Sequence, residues 1–253
     1  MLPHTRHILL AIAAAVVVPN AHAQLVKLGP GAFTPLATAI TFDEAGRHIS
    51  DVNPVYDFTG VPGIGNVTVS FAGAFTGQSV VGSPVRTLAG NPSGPLSLNT
   101  ATITYISGDP DVPSAPVLSG SPQYNGPIVM LFSHPVAAVG LQGGYFNAVG
   151  GTSITAYDAN GNPLGTLANS QTGLEFFGLA DASGNNVISG LAFYITGSEP
   201  FGFDIDDVTF GSRAAVNLPA SPVPEPSTVA LLATGLAVVG VAVRRRPAMR
   251  RRA

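Results

Sequence analysis

The chain has 253 residues, of which 45% are hydrophobic and only 10% charged, with no cysteine and no tryptophan. Glycine (30) and proline (22) exceed average use without reaching the share of a low-complexity chain, so one packed domain plus terminal segments fits better than disorder, and a disulfide framework is excluded. Between Gln24 and Ser221 four basic residues face thirteen acidic ones, a net of −9, which excludes nucleic acid as a partner and favours cations or neutral ligands.

Arg6, with His4 and His7, precedes the apolar run Ile8 to Val18, and Pro19, Asn20 and the small-x-small triplet Ala21-His22-Ala23 follow. This order predicts a secretory signal peptide over 1–23, cleaved by signal peptidase to leave Gln24 first. At about 1.5 Å per residue the apolar run is too short for a bilayer core of about 30 Å.

From Gln24 onward, short runs rich in Val, Ile, Thr, Phe and Tyr alternate with Gly, Pro, Asn and Asp, the pattern of strands and turns. The runs predict strands at Ala39–Phe42, Asn66–Phe71, Ala101–Ile106, Ile128–Phe132, Ala138–Gly143, Ser153–Tyr157, Leu164–Leu167, Leu174–Leu179, Val187–Ile195 and Ile205–Phe210. With no helical period between them, the body reads as all-β, a single jelly-roll-like β-sandwich over 24–213. Eight prolines between Pro84 and Pro127 predict loops around the one strand Ala101–Ile106, because proline removes a ladder donor. Asp158-Ala159-Asn160-Gly161-Asn162 between two strand runs predicts a tight hairpin, with Asn160-Gly161 supplying positive φ. The same run has the first half of a calcium loop, but Asn169 stands where an EF-hand needs Glu and no helices flank it, so the turn reading wins.

After the body, residues 214–226 form a proline-rich linker, 227–243 (STVALLATGLAVVGVAV) an apolar helix, and 244–253 a tail with six arginines. Seventeen residues give about 25 Å of helix, a marginal span that arginine snorkelling extends, and the arginines orient it with the tail cytoplasmic. Val223-Pro224-Glu225-Pro226-Ser227, followed by an apolar span and a terminal arginine cluster, resembles the PEP-CTERM sorting signal of Gram-negative bacteria. The resemblance implies export, recognition of Pro224, Glu225 and Pro226 by the membrane protease-transferase exosortase, an envelope, surface or matrix destination, and an association with exopolysaccharide. The closing phrase Phe203-Asp204-Ile205-Asp206-Asp207-Val208-Thr209-Phe210-Gly211, with Thr41-Phe42-Asp43-Glu44 early, resembles calcium-stabilised carbohydrate-binding jelly rolls.

A jelly roll pairs its first and last strands, so Asp43 or Glu44 is expected near Asp206 or Asp207. Carboxylates meeting without basic partners call for a cation, here a structural calcium. For sugar contact, Tyr105, Tyr124 and Tyr145 are the candidate ligand-binding residues; Tyr56 also lies beside a loop, and Asn53, Asp57, Asn125 and Asn147 stand near these rings in sequence. No catalytic set assembles: only His48 and His134 remain in the body, and there is no nucleophile elbow and no dinucleotide glycine fingerprint.

The expected function is therefore a non-enzymatic envelope or matrix protein that adheres to or organises exopolysaccharide. The alternatives are a carbohydrate-active hydrolase with paired acids among Asp109, Asp111, Glu175 and Asp206, the first three of which have no basic or aromatic neighbourhood that suggests a tuned pKa, and a structural protein that self-associates.

Overall fold

The computed structural model describes residues 25–109 and 115–218. The expected signal peptide, sorting motif, apolar span and arginine tail lie outside these residues, as does Asp111; among the described residues no helix is long and apolar enough to cross a membrane.

Fifteen strands form in chain order: β1 (Leu25–Leu28), β2 (Thr38–Ile40), β3 (Val55–Val61), β4 (Gly65–Ala72), β5 (Ser79–Val81), β6 (Thr87–Ala89), β7 (Thr104–Ser107), β8 (Val117–Gly120), β9 (Ile128–Val136), β10 (Ala138–Phe146), β11 (Thr152–Tyr157), β12 (Pro163–Ala168), β13 (Gly173–Asp181), β14 (Ile188–Ile195) and β15 (Asp204–Gly211). All ten expected strands are present with shifted ends, and β1, β3, β5, β6 and β8 are additional. One sheet has the order β1-β13-β10-β15-β8-β7 with β2 also on β15; the second runs β12-β11-β14-β9-β4-β3; β5 and β6 make a separate ribbon.

Alternation explains the core between the two sheets. Val67, Val69 and Phe71 of β4, Ile128, Met130 and Phe132 of β9, and Leu191 and Phe193 of β14 are buried in one cluster with Val139, Leu141, Phe177, Leu179, Ile205, Val208 and Phe210 of the other sheet. Aromatic edges join across it, with Phe193 against Phe177 at 5.2 Å and against Phe203 at 4.5 Å between ring centroids.

The proline-rich stretch differs from expectation. It carries β6, β7 and β8 rather than one strand, and Leu88, Leu96 and Leu98 pack on Phe75, Val129, Tyr157 and Ala192 in a second hydrophobic cluster. Proline blocked ladder pairing only locally: Pro116 stands just before β8, at the strand entrance where a missing N–H matters least. The hairpin forms as expected. Asp158 Oδ1 accepts the N–H groups of Asn160 and Asn162, both at 2.8 Å, and Gly161 takes φ +79°.

The domain also continues past residue 213. Ser212 caps the short turn Arg213–Ala215 by accepting the Ala214 N–H, Arg213 donates to the Val216 carbonyl at 2.6 Å, and Ala215 and Val216 are buried. Val216 bridges Phe33, so the first part of the expected linker belongs to the sandwich.

Candidate functional site

β15 positions the site because it is shared along one edge by two short strands. Asp204 and Ile205 pair with Ser119 and Leu118 of β8, whereas Val208 to Phe210 pair with Ile40 to Thr38 of β2. Between them the register against β10 shifts, with Gly140 opposite Thr209 but Gln142 opposite Asp206, and Asp207 takes φ +50°. This is a β-bulge, and aspartate tolerates the left-handed region better than most side chains. The acidic closing phrase thus has a backbone role at Asp207, and Asp206 is buried with one oxygen accepting the Asp207 N–H at 2.7 Å.

The expected approach of the early and final strands is present in the β2–β15 pairing. Asp43 accepts from the Thr41 hydroxyl, and Glu44 Oε1 accepts the Thr41 N–H at 2.7 Å. Among the described residues no group of three or more His, Asp and Glu side chains could hold a metal ion. A calcium at this join would rest on fewer carboxylates, completed by carbonyl oxygens.

A cleft lies at the far end of β15 from β2, where β10 ends and β15 begins. It has a volume of about 640 Å³, within the range of small-ligand sites. Gly144, Tyr145 and Asn147 come from the end of β10 and the loop after it, Phe201 to Asp204 from the approach to β15, and Asp109 and Tyr124 from the loops flanking β8. Two of the three expected ligand tyrosines, Tyr124 and Tyr145, therefore meet. Tyr105 is not in the wall; it pairs with Ser119 in the ladder, and Ser119 Oγ accepts the Tyr124 N–H at 2.7 Å. Tyr56 lies elsewhere, buried against Phe42 and Phe71 beneath the Arg47 guanidinium.

The cleft has a fixed floor and an open rim. Phe203 is buried against Phe193 and links the floor to the core. Phe201 is 77% exposed and Tyr145 43% exposed, so two aromatic faces remain available at the rim. Tyr124 is fixed instead: its hydroxyl donates to the Gly108 carbonyl at 2.9 Å and its own carbonyl accepts the Phe203 N–H at 2.7 Å. Gly202 packs directly on that carbonyl with φ +81°, which any side chain would disturb. Beneath the rim, buried Glu199 accepts the Asn147 N–H at 2.7 Å, and Asn147 Oδ1 accepts the Phe201 N–H at 3.2 Å, tying the two loops together. Burial pushes the Glu199 carboxyl up, partly offset by backbone N–H groups of Asn147 and Ala148.

At the first position of β15, Asp204 is only 3% exposed and shares a hydrogen bond with Asp109. Burial pushes its carboxyl up to about 9, with the Asp109 hydrogen bond and the nearby Asp109 and Asp206 charges adding to the effect. Asp204 therefore holds a proton at neutral pH, and the carboxyls meet through that proton.

Sequence neighbours mislead for two acids. Asp109 has an aromatic environment after all, supplied by Tyr124, Tyr145 and Phe201. Glu175 has a basic partner, Lys27 at 3.2 Å, from β1. Burial pushes Glu175 up, but hydrogen bonds from Ser170, Lys27 and Gln171 outweigh it and hold the carboxyl below its usual range. Asp204 and Phe201 were missed as site residues; the signal for Asp204 was its place at the head of the closing strand. His134 lies exposed on β9, near only Ser133 Oγ at 3.3 Å among the partners resolved.

The fold and cleft define an all-β sandwich protein with a loop-built cleft at one end of a sheet. Residues 222–246 match the family model for the PEP-CTERM protein-sorting motif. The chain thus carries a PEP-CTERM sorting motif, the address of proteins exported to the cell envelope of Gram-negative bacteria and handled by exosortase. No curated protein matches the chain in sequence.

Proposed function

We propose that this exported protein is a non-enzymatic component of the cell surface or extracellular matrix that binds exopolysaccharide through the cleft beside β15. The carrying observation is the juxtaposition of the exposed Phe201 and Tyr145 rings with Tyr124 and the Asp109–Asp204 pair in one cleft. A pyranose offers an apolar face for such rings and hydroxyls for acids at their margin, and the fixed loops limit the ordering cost of binding. The sorting motif supports the setting, since it implies export to the cell envelope.

The test is binding of the detergent-solubilised full chain to exopolysaccharide from the source organism's own biofilm. Tyr145→Ala and Phe201→Ala are each expected to reduce affinity at least about fivefold, because each removes an aromatic contact worth roughly 1–3 kcal/mol, while leaving the melting temperature nearly unchanged. Undiminished binding by both variants refutes the cleft as the site, and absence of binding refutes the polysaccharide reading. Calcium enters this proposal as a structural ion at the β2–β15 join, held by fewer than three of the acids Asp43, Glu44, Asp206 and Asp207 together with carbonyl oxygens. A melting temperature unchanged between calcium and chelator removes calcium while leaving the polysaccharide reading intact.

A further inference from the structure

The chemistry of the cleft narrows the class of sugar. The described residues contain four basic side chains, Lys27, Arg47, Arg86 and Arg213, and none lines the cleft. Lys27 is paired with Glu175, Arg47 lies 4.2 Å over the Tyr56 ring, and Arg213 donates to the Val216 carbonyl. Among the described residues the ionisable groups at the cleft wall, tyrosines aside, are the carboxyls of Asp109 and Asp204, joined through the Asp204 proton, with buried Asp206 adding negative potential behind Asp204. A uronate, sulfate or phosphate entering there would leave water for a site of its own sign that no basic side chain of the described residues lines. An ammonium group would gain charge-assisted hydrogen bonds from the carboxyl oxygens and attraction to the faces of neighbouring aromatic rings.

Resting on the glycan reading above, we propose that the cleft selects sugars bearing a free amine, with the ammonium donating to the Asp109–Asp204 pair and the ring's apolar face against Tyr145 and Phe201. The aromatic rim accounts for recognition of a sugar ring rather than of a bare cation. The acid pair then distinguishes a hexosamine unit from its N-acetylated counterpart, which carries no charge, and from a uronate, which carries the opposite one.

The test uses the detergent-solubilised full chain and three tetrasaccharide probes: β-1,4-linked glucosamine, β-1,4-linked N-acetylglucosamine and an α-1,4-linked uronate, titrated calorimetrically near pH 6.5. Free-amine tetramer is expected to bind at least about tenfold more tightly than the acetylated one, the difference between a charge-assisted and a neutral hydrogen bond. The uronate tetramer is expected not to bind. Asp109→Asn should abolish the preference for amine, and Tyr145→Ala should weaken both amino and acetylated probes. Asp57→Asn, a distant acid exposed on β3, controls for simple attraction to an acidic protein and should leave the preference unchanged.

Equal binding of amine and acetylated probes, or a preference that survives Asp109→Asn, overturns the amine assignment. If Tyr145→Ala still weakens binding in that case, the glycan reading stands without it. Failure of all three probes together with the native polysaccharide removes both readings.

Discussion

Replacing Asp204 with asparagine should convert a pH-sensitive protein into a much less sensitive one. In the folded chain the Asp204 carboxyl is pushed up to about 9, against an ordinary value of 3.8. Between those values the folded state holds a proton that the unfolded state has released, so stability falls as pH rises, at up to about 1.4 kcal/mol per pH unit. This contribution is fully present below about pH 4 and is lost by the time the pH passes about 9. Over the three units from pH 5 to pH 8 the loss amounts to about 4 kcal/mol, a large share of the 5–15 kcal/mol typical of a folded domain. Asparagine keeps the shape and a donor toward Asp109 but has no proton to lose, so the variant should be more stable than the parent at pH 8 and close to it at pH 5. Urea unfolding of the full chain at both pH values, followed by far-ultraviolet circular dichroism, gives the comparison. A residual slope of the same sign is expected from Glu199, whose carboxyl is also raised by burial. An equal slope in the two proteins, or a parent whose midpoint rises from pH 5 to pH 8, would refute the shared-proton account.

Glu175 should act in the opposite direction. Its lowered carboxyl contributes stability above the ordinary value of 4.5 that is lost as the pH falls through the folded one, so Glu175→Gln should reduce stability at pH 7 by about 1–3 kcal/mol and weaken the acid-side decline seen in melting curves. Gly202→Ala should destabilise by about 1–3 kcal/mol and weaken polysaccharide binding in the same sample, because a Cβ at φ +81° meets the Tyr124 carbonyl. Glu225→Ala, in the sorting motif, should leave the sandwich's melting temperature unchanged while an unprocessed form accumulates in the membrane fraction; normal processing in a blot of fractionated cells would count against recognition of that residue.

The sandwich was legible where strands are long runs rich in apolar and β-branched residues, as in Ile128–Phe132 and Val187–Ile195, which are buried at nearly every position, because such a run between turn residues is a local property of the chain. Strands β5 and β6, with three residues each, and β8, four buried residues behind Pro116, give too short a pattern among too many breakers. The proline-rich stretch was misread for a related reason: Leu88, Leu96 and Leu98 act by covering the far side of a sheet, and sequence spacing carries no record of that face. Tyr124 and Tyr145 were found because aromatic residues among turn-forming neighbours are visible in sequence. The Asp109–Asp204 pair was not, because Asp204 joins β8 and β10 only through nonlocal ladders that bring the Asp109 loop alongside. Lys27 reaches Glu175 by the same kind of long-range pairing, between β1 and β13.

The position of β15 has a consequence for export. An exported chain emerges N-terminus first, and β2, β8 and β10 all leave an edge that only residues 204–211 can fill. The sheet therefore stays incomplete, and the cleft lacks its floor and one of its acids, until almost the whole body has crossed the membrane. Ten residues, 212–221, separate closure of the sheet from the start of the sorting motif, so a chain truncated before residue 204 would reach the envelope with an open sheet edge and a cleft without Asp204.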